Sequence, residues 1–140
     1  MTGRFVAAVV TASALVASCS GCLMRAEKLP QKTARITVDN ITRTSHAVSC
    51  SQVQWLLTAD IGAAPARVQV VVKLDSGKPK VESVNIDDFE GFTGVADAQA
   101  GDAAVVFAND TYTITGAAQG AKRKDPSVST TAPFKIEVGC

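Results

Sequence analysis

The sequence predicts an all-β domain, or at most a β-rich α+β one, folded as a small antiparallel sandwich or twisted sheet behind a cleaved lipoprotein signal peptide. Three observations carry this. Beyond residue 34 the apolar residues fall in short runs with a period near two, the spacing that puts alternate side chains on one face of a strand. Gly, Pro, Asn and Asp in turn-forming combinations separate those runs. No stretch shows a convincing 3.6-residue apolar period, which favours a sheet over a helical fold.

The leading segment comes first. Arg4 supplies a positive n-region, and residues 5–17 form an uncharged run rich in Ala and Val. At about 13 residues it would reach about 20 Å as a helix, too short to span a bilayer permanently. Small residues then lead to a cysteine, as a signal peptidase site requires. Val16-Ala17-Ser18-Cys19 has the branched apolar residue followed by small ones that lipoprotein processing takes, so Cys19 is the expected lipidation site. Cys22 is the alternative, although Cys19 then stands where Leu or Val is expected. The signal peptide is residues 1–18, or 1–21 if Cys22 bears the lipid. An ordinary secretory signal with incidental cysteines is the competing reading. Two or three acyl chains, palmitate among them, would hold the protein stably on the extracytoplasmic side of the cell membrane, where one chain binds only marginally.

Residues 19–34 are polar, mixed in charge and interrupted by Pro30, which suits a lipidated tether. The β-rich domain then covers residues 35–140. Ile36, Val38 and Ile41 predict a first strand with a bulge at Asn40. Residues 47–50 and 53–58 form a second extended region carrying Trp55, which Gly62 and Pro65 break. Residues 66–74 are the strongest strand: Val68, Val70 and Val72 face one way, while Val71 and Leu74 blur the alternation as in a central strand. Asp75-Ser76-Gly77-Lys78-Pro79 is a turn, and Val81, Val84 and Ile86 form the return strand with one slip in period. Residues 89–94 are looser, with two glycines. Residues 103–107 and 111–115 flank Asn109-Asp110 as a tight hairpin. Val105 and Phe107 there face Tyr112 and Ile114, with Thr111, Thr113 and Thr115 on a wetter face. Residues 116–132 are a long polar loop containing Lys122-Arg123-Lys124. Phe134, Ile136 and Val138 alternate with Lys135 and Glu137 in a last strand that ends at Cys140.

Composition excludes several classes of function. The 140 residues carry 14 basic and 13 acidic side chains. Cleavage before Cys19 removes Arg4 alone among the charges, so the mature chain has no net charge and no electrostatic argument for nucleic acid. Five Phe, one Tyr and one Trp are too few for a base-stacking platform. Cys50 and Cys140 are the two cysteines of the exported domain, and in an oxidising compartment such a pair is most simply a disulfide. A redox or catalytic thiol pair is the alternative. Cys19 and Cys22 match Cys-x-x-Cys only by spacing, at a processing site.

Thr111-Tyr112-Thr113-Ile114-Thr115-Gly116-Ala117-Ala118-Gln119-Gly120 and the terminal Phe134-Lys135-Ile136-Glu137-Val138-Gly139-Cys140 resemble the mycobacterial 19-kDa lipoprotein antigen family. The turn Asp75-Ser76-Gly77 leading to Val81-Glu82-Ser83-Val84, and Cys50 placed soon after the first strand, resemble it too. The resemblance runs over nearly the whole chain, and its motifs are structural rather than chemical. It implies an acylated, surface-exposed envelope antigen with a small β-rich domain closed by a disulfide. It also implies an acylated N-terminus that host innate receptors, Toll-like receptor 2 in particular, would sense. Two departures stand out. The family's lipid-bearing cysteine aligns with Cys22 rather than Cys19. The hydroxyl-rich stretch that follows the family's anchor is reduced here to Thr33.

A search for chemistry finds little. His46 is the only histidine, and one His without a cysteine cluster makes no zinc site. Asp87, Asp88 and Glu90 are the densest carboxylates, without the spacing of a calcium loop. Lys122-Arg123-Lys124 suits acidic lipid headgroups or, more simply, a solvated loop. No nucleophile motif or phosphate loop is present. No cofactor and no metal are expected. The expected function is that of a non-enzymatic, lipid-anchored envelope protein; the alternative is a lipid or glycolipid carrier with an apolar cleft near residues 89–95.

Overall fold

The computed structural model describes residues 28–75 and 77–140. The signal peptide, Cys19, Cys22 and the tether up to residue 27 lie outside the described residues.

Ten strands follow in order: β1 (Thr33–Val38), β2 (Ile41–Ser45), β3 (Ala47–Val53), β4 (Leu56–Ala63), β5 (Ala66–Lys73), β6 (Lys80–Phe89), β7 (Phe92–Asp97), β8 (Asp102–Ala108), β9 (Thr111–Lys122) and β10 (Asp125–Gly139). No helix occurs among the described residues. The domain is all-β. One antiparallel sheet runs β2-β1-β10-β9-β7-β6-β5-β4-β3, with β8 also paired to β9. The sheet curls until its two ends almost meet, so it is barrel-like rather than a two-layer sandwich. Side chains close the seam. Arg43 Nη2 donates to Ala64 O at 3.1 Å, and the Ser45 hydroxyl donates to Gly62 O. A disulfide joins Cys50 on β3 to Cys140 just past β10, with 5.8 Å between their Cα atoms.

The interior is filled by one side of each strand. Ile36, Ile61, Val68, Val70, Val84, Ile86, Ile114 and Ile136 are all essentially inaccessible to solvent. Each such side chain contributes about 1.5–3 kcal/mol through burial.

Several elements depart from their sequence-based expectations. Asn40 is not a bulge in one strand. Asp39 and Asn40 both take positive φ (49° and 66°), the two-residue loop of a β1–β2 hairpin. The extended region around Trp55 is likewise a hairpin, turning at Gln54 (φ 54°) without Gly, Asn or Asp to announce it. The slip in β6 is a bulge that leaves Glu82 unpaired between Val81, opposite Val72, and Ser83, opposite Val71. The loose segment at residues 89–94 is a tight turn, with Phe89 and Phe92 paired and buried.

The largest correction concerns residues 116–132. They are not a loop: β9 runs to Lys122, turns at Arg123-Lys124, and returns as β10. A bulge spanning residues 126–129 absorbs Pro126 and the polar run. The glycines that suggested a loop instead permit close strand approach. A Cβ on Gly116 would overlap Asp102 O, and one on Gly120 would overlap Thr93 O. Those two contacts let β9 pair with β8 along its first half and with β7 along its second.

Order begins before Arg35. Leu29 is buried, and its N–H donates to Thr111 Oγ1 at 3.3 Å. Lys28 pairs with Asp110 at 3.0 Å, and Lys32 N donates to Gly139 O at 2.7 Å. Thr111 is therefore buried rather than on a wet face.

Candidate functional site

The register places four turns at one end of the barrel: Asp39-Asn40, Ala64-Pro65, Glu90-Gly91 and Arg123-Lys124. Between them lies a half-open groove of about 920 Å³. Phe89 and Phe92 form its floor, sealed almost completely from water, with Val38 beside them. Ile41, about half exposed, and Pro65 form an accessible apolar wall.

Charged side chains rim this groove. Arg123 reaches back to Asp88 in a close ion pair, and its N–H donates to Gly91 O at 2.8 Å. Arg43 faces Glu90 at 3.7 Å. Asp88 is aimed by a second bulge in β6, where it takes positive φ and its N–H donates to Thr93 Oγ1 at 3.0 Å. Lys122 and Lys124 also line the groove, and no carboxylate pairs with either among the described residues. The groove thus combines a small apolar wall with two unpaired ammonium groups, a combination that fits an amphiphile with an anionic head.

The sequence singled out the carboxylate group, the basic run and the segment at residues 89–95 separately. The turns bring members of all three into one site. Asp87 stays outside it, accepting from Thr93 Oγ1 at 3.4 Å. Of the carboxylates that line the groove, Asp88 and Glu90 face guanidinium groups, an arrangement for holding the rim together rather than for proton transfer, and Asp39 stands at the β1–β2 turn. Ile41, Arg43 and Pro65 were not anticipated there. Ile41 and Arg43 arrive on β2 from one side of the seam and Pro65 in the β4–β5 turn from the other, and only closure of the sheet could bring them together.

His46 lies elsewhere, on the outer surface in a shallow hollow of about 400 Å³ shared with Ser49, Asp60 and Arg67. Its Nδ1 is 3.4 Å from Thr33 Oγ1, and Asp60 accepts from Gln69 at 3.0 Å. Among the described residues no group of three or more His, Cys, Asp or Glu side chains is placed to hold a metal ion.

Comparison with known proteins gives a coherent result. Residues 27–140 match the family model described as the Mycobacterium 19 kDa lipoprotein antigen. The chain is 37% identical, over all of both chains, to a protein of Mycobacterium indicus pranii described as a lipoprotein. It is 34% identical to another so described from Mycobacterium avium subsp. hominissuis, covering 99% of this chain and 94% of that one. It is 33% identical over both full lengths to a Mycobacterium tuberculosis protein described as the lipoprotein LppE.

Proposed function

This chain belongs to the Mycobacterium 19 kDa lipoprotein antigen family, and from that premise we propose that it is a non-enzymatic display lipoprotein of the cell envelope. Acyl chains on Cys19, or alternatively on Cys22, hold it to the extracytoplasmic face of the membrane. The barrel projects outward from there, and the acylated N-terminus is the part that host innate receptors recognise. The observation that carries this reading is how the chain enters the fold. Lys28, Leu29 and Lys32 are strapped to the β8–β9 turn and to the end of β10, beside the Cys50–Cys140 disulfide. A pull on the anchor therefore loads an end of the barrel that the disulfide fastens.

Intact mass spectrometry of the protein extracted from mycobacterial membranes tests the anchor. The expected species begins at Cys19 and carries acyl chains. One beginning at Cys22 moves the site by three residues. An unacylated N-terminus overturns the reading.

The groove favours a second reading, that of an envelope lipid or glycolipid carrier. An acidic amphiphile would set its head against Lys122 and Lys124 and its chain against Ile41 and Pro65. Native mass spectrometry of the detergent-extracted protein should then show a one-to-one lipid adduct that is lost on activation. The K122E/K124E variant should lack it. A protein free of adduct leaves display as the function.

A further inference from the structure

The end of the barrel opposite the groove carries a different surface. Here lie the Gln54-Trp55 turn, the end of β5 and start of β6, the Asn109-Asp110 turn and the entry of the chain at Lys28. Of seven large apolar side chains exposed on the described surface, five belong to this end: Val53, Trp55, Leu56, Val106 and Phe107. Trp55 is 60% exposed at the tip of one hairpin, and Val53 is 72% exposed beside it. Val106 and Phe107 stand near the tip of another. Isolated exposed apolar residues need no explanation, but five of them on two hairpin tips at one pole do.

Charge at this pole has one predominant sign. Lys28, Lys32, Lys73, Lys78 and Lys80 stand at the strand ends and turns, against Asp75, Glu82 and Asp110. Two of the lysines are neutralised, Lys28 by Asp110 at 3.0 Å and Lys73 by Asp75 at 3.3 Å. An indole on a projecting turn, with aliphatic neighbours and lysines at the strand ends of the same pole, is the composition that settles at a membrane–water interface.

The anchor sets the orientation. Whatever path residues 19–27 take, six residue steps separate Cys22 from Lys28, which reach at most about 20 Å; the nine from Cys19 reach about 30 Å. The far edge of the groove lies beyond either reach, since β9 carries the chain about 36 Å from Thr111 to Lys122, whereas its near edge at Asp39 is about 23 Å along the chain from Lys32. A lipid on either cysteine keeps the pole that carries the chain entry and Trp55 within reach of the bilayer and leaves the Lys122 edge of the groove out of it. Tethering at that range also raises the effective concentration of the surface to about the millimolar level, so weak intrinsic affinity suffices.

We propose that the Trp55 pole docks on the bilayer, seating the indole and the Val53 and Leu56 side chains among the lipid headgroups while the flanking lysines meet phosphates. This rests on the acylated anchor of the preceding section. It reassigns membrane contact from Lys122-Arg123-Lys124, at the far end, to the anchor end.

Trp55 is the only tryptophan of the chain, so it reports directly. The full acylated protein is reconstituted into phosphatidylcholine–phosphatidylglycerol vesicles, with and without brominated acyl chains, and floated. Docking predicts blue-shifted Trp55 emission that brominated lipid quenches. The V53S/L56S variant should float equally well and be quenched less. Emission of a water-exposed indole from floated protein overturns the proposal while leaving the anchor intact. A blue shift that brominated lipid does not quench, and that grows with protein density, overturns it in favour of a second copy of the chain. Failure to float is instead failure of the anchor, and a docking proposal that rests on it falls too.

Discussion

Tyr112 and Phe107 face each other across β8 and β9 with ring centroids 4.4 Å apart. Phe107 is half exposed and covers one side of the phenol. Partial burial disfavours the phenolate, so the Tyr112 pKa lies above the ordinary tyrosine range. Tyr112 is the only tyrosine, and its ultraviolet absorbance therefore gives an unmixed titration. The expected midpoint is above that of free tyrosine, and Phe107→Ala should bring it back down. The linkage has a definite sign. Below the unfolded pKa both states keep the proton and the contribution to stability is complete. As pH rises beyond it the unfolded state loses its proton first, so this contribution declines through the folded pKa. Denaturation midpoints measured on both sides of that window check the direction.

Among the elements, β9 decides the architecture. Its length lets it hold β10 on one edge and both β7 and β8 on the other. Gly116 and Gly120 stand where those partners approach most closely. The obstruction at Gly120 is the backbone of Thr93 and Gly94, which cannot swing aside as a side chain would. Gly120→Ala should therefore destabilise the protein by about 1–3 kcal/mol, the usual cost of overpacking, or more if β7 detaches. Urea denaturation measures it, and a change within error would mean that the β7–β9 contact yields easily. In the sequence this stretch looked like a loop because Gly, Ala, Ser and Thr dominate it. The same composition suits strands whose backbones nearly touch. By contrast, the turn and register of the Asn109-Asp110 hairpin were legible: Val105 pairs with Ile114 and Phe107 with Tyr112, although Thr111 is buried. Strong turn residues between alternating strands fix register locally, with no tertiary information needed.

For the molecule as a whole, the Cys50–Cys140 bridge closes a loop with a sequence separation of 90 across the seam of the sheet. The ladder is open there, and the two edges meet through side chains rather than backbone pairs. On the chain-entropy account a loop of this size contributes about 4–5 kcal/mol. The C50S/C140S variant should lose about that much by chemical denaturation while keeping the far-ultraviolet signature of a sheet. Loss of all β signal would mean that the seam cannot hold without the bond. The two poles of the barrel also differ in kind. One carries turns that interlock through arginine–carboxylate pairs around the groove. The other bears the chain entry, the bridge and the exposed apolar tips.

The sequence by itself determined the β class, the hairpin at residues 109–110, the central strand near residue 70 and the resemblance to a lipoprotein family. The first three rest on local periodicity or on turn chemistry, which neighbouring residues express without help from distant ones, and the resemblance rests on motifs matched along the chain. Tertiary structure alone decided the curl into a near-barrel, the course of β9 and β10 through apparent loop sequence, and the meeting of Arg43 and Ile41 with Arg123 in one groove. Those features arise from contacts between residues on different strands, such as Ser45 with Gly62, Gly120 with Thr93 and Arg43 beside Arg123, where close backbone approach and seam closure set geometry that no local pattern encodes.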